Sequence, residues 1–147
     1  MTINKSMKKV LKALSFDGIE VEAARQLANI KAIDPLKIFH RTIDYKVMNG
    51  DHEVPMRLYM PSEEISEDLP VFLLFHGGGW VLGDYSTHRR LVRDLVAESG
   101  CAAVFVNYTP SPEARFPQAV EEIYIAVKWV AENGREIGVD GSRLALA

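Results

Sequence analysis

The chain has 147 residues, 48% of them hydrophobic and 25% charged, with a net charge of −3. These values describe one domain of ordinary globular composition and give no electrostatic reason to expect nucleic acid or an anionic membrane as partner. A single cysteine, Cys101, excludes an intrachain disulfide and suits a reducing, cytoplasmic setting.

Lys5, Lys8, Lys9 and Lys12 interrupt the apolar positions of the first residues, so a secretory signal is not expected there. The longest apolar run, Val71 to Phe75, is far too short to cross a bilayer. Residues 1–33 read as two helical pieces. Val10, Leu11 and Leu14 form one stripe, and Val21, Ala24, Leu27 and Ile30 form another. Ser15 to Gly18 separates the two pieces, and Asp34-Pro35 closes the second. Such stripes suit packing helices or a mobile cap over a pocket.

A hairpin follows. Phe39 to Val47 has β character, Asn49-Gly50 offers the positive-φ turn, and Val54 to Tyr59 returns. Pro61 to Pro70 is a polar loop. Val71 to Phe75 is apolar throughout, as a strand buried on both faces requires. Thr87 to Ser99 reads as a helix with Leu91, Leu95 and Val96 inward and Gly100 as its stop. Cys101 to Val106 is a second buried strand. Gln118 to Asn133 is a helix with Val120, Ile123, Val127 and Val130 on one face, and Arg143 to Ala147 begins a third strand. Strand, helix, strand, helix, strand with continuous apolar strands predicts a parallel α/β sheet. The terminal strand would present an unpaired edge, open to self-association.

Chemistry concentrates in His76-Gly77-Gly78-Gly79-Trp80, directly after the buried strand. Three glycines remove every β-carbon, so the backbone can approach a ligand and aim its N–H groups at a developing negative charge. Each such donor is typically worth about 2.7–4 kcal/mol of an acyl-transfer barrier. A tight turn needing glycine only for packing is the alternative.

The surrounding motifs resemble those of one family. The histidine, three glycines and aromatic resemble the oxyanion loop of lipases and esterases. Val106-Asn107-Tyr108, Pro112-Glu113, Phe116-Pro117 and Ala119 resemble their tyrosine-proline-glutamate stretch. Val127 to Val130, Ile137 to Asp140 and Ser142 to Ala145 resemble the helix and strand leading to their nucleophile, and Gly83 and His88 also fall in place. From about residue 38 onward the chain resembles the hormone-sensitive-lipase-like (bacterial family IV) branch of the α/β-hydrolases. The resemblance implies the N-terminal half of that fold: a helical cap region over residues 1–36 and an incomplete core over 37–147. It implies oxyanion donors at Gly78 and Gly79, with Gly77 beside them, and a pocket wall at Trp80 and Tyr85. It gives His76, His88, Tyr108 and Glu113 supporting roles, with Phe116 holding the neighbouring loop.

Two positions depart from the pattern: Thr109 stands where arginine is usual and Asn107 where aspartate is frequent, which would loosen a local ion pair. A larger departure is that the Gly-x-Ser-x-Gly turn, the acid and the catalytic histidine of the family have no counterpart. The expectation is therefore the N-terminal part of a serine carboxylesterase for short acyl esters, inactive alone. The alternatives are a non-catalytic interaction module or one chain of a two-chain esterase. Cys101 reads as an inert core thiol, His40 and His52 as surface residues, Asp84 as a loop or capping residue, and Arg89-Arg90 as an exposed face. No metal-ligand spacing or phosphate loop is present, and no cofactor is expected.

Overall fold

A computed structural model describes residues 20–31, 41–62 and 66–147. The first expected helix, the Asp34-Pro35 stop and His40 lie outside the described residues. Helix α1 (Val21–Lys31) precedes a hairpin of β1 (Arg41–Asn49) and β2 (His52–Met60). Then follow β3 (Leu69–Phe75), α2 (Tyr85–Ser99), β4 (Ala102–Val106), α3 (Gln118–Asn133), a 3₁₀ turn (Gly134–Ile137) and β5 (Val139–Leu146).

The strands form one mixed sheet in the order β1-β2-β4-β3-β5. β1 and β2 join it antiparallel, whereas β3 pairs parallel with both β4 and β5. Residue alternation explains the continuous apolar strands. In β4, Ala102, Val104 and Val106 face one core with Ala126 and Val130 of α3, while Ala103 and Phe105 face a second core with Val92 and Val96 of α2. β3 splits in the same way, with Val71 and Leu73 on the α3 side and Leu74 on the α2 side.

Several local expectations need correction. Asn49 pairs with His52, so the two-residue loop is Gly50-Asp51, one residue later than Asn49-Gly50. Its first position has φ +58°, and glycine takes that conformation without steric cost. α2 starts at Tyr85 rather than Thr87, because Asp84 caps it: its carboxylate accepts from the Ser86 and Thr87 amides, and Thr87 returns a bond to the Asp84 N–H. Its inner face carries Val92 and Val96, not Leu91 and Leu95, which are 51% and 39% exposed. Tyr85, whose ring centroid lies 5.0 Å from that of Phe105, packs in the same cluster as Val92 and Val96. Cys101 precedes β4 and is half-buried, its Sγ 3.7 Å from the Ser99 carbonyl oxygen. On α3, Glu122, Ala126 and Val130 are the buried positions, while Val120 is exposed. β5 begins at Val139, with a register irregularity opposite Pro70 and Val71.

Candidate active site

Because β3, β4 and β5 run parallel, their carboxyl ends lie along one edge of the sheet, where loops of α/β folds commonly form ligand sites. The glycine turn leaves β3 at that edge. Gly78 has φ +134°, and a β-carbon there would collide with the Leu82 carbonyl group. The Leu82 and Val81 amides donate to the Gly78 carbonyl oxygen at 2.9 and 3.2 Å, closing the turn. Trp80 also has positive φ, +65°, a strained conformation for a bulky side chain. Two contacts hold it: the Ser111 amide donates to the Trp80 carbonyl at 2.7 Å, and Arg25 Nε donates to the Val81 carbonyl at 3.1 Å.

His76 lies beneath the turn and is 3% exposed. Its ring stacks on Tyr108 at 4.2 Å and on Phe105 at 5.6 Å. The Tyr108 hydroxyl donates to the His76 carbonyl at 2.7 Å. Nδ1 lies 3.1 Å from the Gly77 carbonyl oxygen, which can only accept, so Nδ1 carries the proton. Nε2 is then an acceptor, buried and without a hydrogen-bond partner among the described residues. Burial lowers the His76 pKa, opposed by the hydrogen bond to Gly77, and keeps the ring neutral. Gly83 fits against this histidine: at φ +104°, a β-carbon would strike His76 Nδ1 and the Gly77 carbonyl.

Above these supports lies a groove of 310 Å³ lined by Phe75, His76, Gly77, Gly78, Gly79, Trp80, Tyr108 and Ile123. The three glycines are exposed, and among the described residues no acceptor engages their amides. Trp80 also borders a second cavity of 370 Å³ with Ser111, Ala114, Phe116 and Val120. Phe116 is 90% exposed along that cavity. The arrangement supplies N–H donors beside apolar walls, which is suited to an oxyanion on an acyl group.

Among the described residues, no Ser, His and carboxylate are hydrogen-bonded together beside the turn. His88 is half-buried, and its Nδ1 lies 2.9 Å from Thr87 Oγ1, which is occupied in capping α2. The Ser111 and Ser142 hydroxyls donate to the Ala114 carbonyl and to Asp140. Tyr85 is not among the groove residues; its ring lies between Phe105 and the Arg57 guanidinium, 4.3 Å from its centroid. Among the described residues, no group of three His, Cys, Asp or Glu side chains is placed to hold a metal ion.

Sequence reading missed four contributors. Phe75 and Ile123 line the groove. Arg25 of α1 grips Glu113 through two hydrogen bonds of 2.8 and 2.9 Å, which holds that exposed carboxyl at a pKa of about 2. Glu122 is 1% exposed and accepts from the Thr109 amide at 2.6 Å, Thr109 Oγ1 at 3.0 Å and Gln118 Nε2 at 2.8 Å. Thus, where arginine is usual at position 109, a threonine, its own amide and a glutamine satisfy the buried carboxylate.

A mixed sheet whose parallel strands carry a glycine turn and a capped helix at their carboxyl edge is consistent with an α/β-hydrolase core. A family profile described as the alpha/beta hydrolase fold matches residues 72–147, and the chain belongs to that family, in its hormone-sensitive-lipase-like branch. It is 37% identical to carboxylesterase NlhH of Mycobacterium tuberculosis over 134 residues, covering 89% of this chain and 41% of that protein. Esterase LipI of the same organism is 35% identical, with 99% and 47% covered. Among solved structures, a thermostable esterase from Pseudomonas putida superposes with a TM-score of 0.79 at 38% identity, covering 98% of this chain and 47% of that one. A hyperthermophilic esterase from Pyrobaculum calidifontis gives 0.80 at 33% identity, with 99% and 48% covered. The chain therefore spans under half the length of the relatives it matches. Among the described residues, no helix is long and apolar enough to cross a membrane.

Proposed function

We propose that these residues supply the oxyanion-stabilising part of a serine carboxylesterase site for short acyl esters. The observation that carries this reading is the row of unengaged amides at Gly77, Gly78 and Gly79 opening onto an apolar-walled groove. The Gly78 and Gly79 N–H groups would stabilise the carbonyl oxygen as it becomes negative during attack. Trp80 walls the groove, while His76 and Tyr108 brace the turn from below and Glu113 from the neighbouring loop. The nucleophile, its base and the orienting acid come from outside these 147 residues, so the chain alone does not turn over ester. A small acyl ester is the ligand, no cofactor is required, and the single thiol suits a cytoplasmic setting.

Two measurements test this. Short-chain p-nitrophenyl esters should show no turnover above background, and a serine-directed phosphonate should leave the intact mass unchanged; a stoichiometric adduct would refute the absence of a nucleophile. Titration with butyrate, a carboxylate stand-in for the oxyanion, should shift the Gly78 and Gly79 amide resonances. Saturating butyrate without such shifts would refute the donor assignment.

The position of β5 at the edge of the sheet favours a second reading, pairing with another strand, including that of a second copy. A strictly monomeric chain in sedimentation would refute self-pairing.

A further inference from the structure

We infer that Arg25 is a positioning residue for the glycine turn, so that docking of α1 and the geometry of the proposed donors form one coupled unit. The inference extends the reading above to a residue from the opposite end of the chain. One guanidinium, on a side chain 22% exposed, reaches two backbone carbonyls in separate loops and one carboxylate. Nε donates to the Val81 carbonyl at 3.1 Å, Nη2 to the Ser111 carbonyl at 3.2 Å, and Nη1 and Nη2 to the two Glu113 oxygens. The Ser111 amide in turn donates to the Trp80 carbonyl at 2.7 Å. The Trp80-Val81 segment is thus fixed by two carbonyl contacts from different parts of the chain, beside the positive φ of Trp80. Tyr108 anchors the opposite end of the turn at the His76 carbonyl. Only a planar fork with several fixed donors can serve both carbonyls and the carboxylate together; a lysine ammonium is a point charge and cannot.

Amide hydrogen exchange on the full chain tests the coupling, because the reporters are the Val81, Leu82 and Ser111 amides themselves. Arg25→Gln should speed their exchange by about tenfold or more, while the β3 and β4 amides change by less than about twofold. Arg25→Lys, which keeps the charge, should remain close to Arg25→Gln. In a Trp129→Phe background, Trp80 emission should shift in both variants. Unchanged exchange at the turn would overturn the inference. A parallel rise throughout the sheet would also overturn it, as would full rescue by lysine. Exchange is read with no ester or butyrate present. Local acceleration in a chain that ignores butyrate would therefore sink the esterase reading alone, and butyrate binding with an unaffected turn would sink this one alone.

Discussion

Removing the buried carboxylate of Glu122 should destabilise the chain more than any exposed charge change. Glu122→Ala takes the acceptor away from three donors, of which the Thr109 amide is the least able to turn elsewhere. A buried N–H left unpaired costs about 1–3 kcal/mol. The one lost side-chain methylene, Cγ, adds about 0.8 kcal/mol. The sum is about 2–4 kcal/mol, or near 10 °C in Tm for a chain of this size. Glu122→Gln keeps the shape and one acceptor, and Gln118 can flip its amide to match, so the expected loss is about 1 kcal/mol. Urea unfolding followed by circular dichroism measures both. If Glu122→Ala fell within about 0.5 kcal/mol of the parent, or if glutamine cost as much as alanine, the carboxylate would not be organising this loop.

Three further outcomes are expected. Gly83→Ala should cost at least about 2 kcal/mol by urea unfolding, since its β-carbon meets His76 and the Gly77 carbonyl at a positive φ. The folded-state pKa of His76 lies below its usual 6.5, so its contribution to stability is present above pH 6.5 and lost as pH falls through the lowered value. His76→Asn should accordingly flatten the fall in urea midpoint between about pH 7.5 and 5.5. On α2, Val92→Ala should cost about 1–3 kcal/mol, whereas Leu91→Ala should stay within about 0.5 kcal/mol in the same denaturation assay.

The misreading of α2 shows what local pattern leaves open. Val96 is buried as expected, but Leu91 and Leu95 are not and Val92 is, and periodicity alone does not choose between these neighbours. The choice falls to tertiary packing, in which Tyr85, Val92 and Val96 cluster with Phe105 of another element. By contrast, Gln118–Asn133 and the core of β3 were legible because one repeats apolar residues at helical spacing and the other is apolar on both faces. The glycine turn was legible for its composition. Its supports were not: Arg25 lies 88 residues from Glu113, and Glu122 sits at a position that solvent would suit equally well on sequence grounds. Thr109, a departure from the family pattern, supplies two of the three donors to that carboxylate, which its position in the sequence does not reveal.

The pairing of β5 with β3 also fixes a point of attachment. The Ala147 amide donates to the Leu73 carbonyl at 2.9 Å, and the Ala147 carbonyl accepts from the Phe75 amide at 3.0 Å, one residue before His76. Anything covalently joined at Ala147 is thereby tethered beside the groove, and a short tether raises the local concentration of its cargo to about the millimolar range. A weakly binding group that would never saturate the glycine amides from free solution could occupy them when carried there.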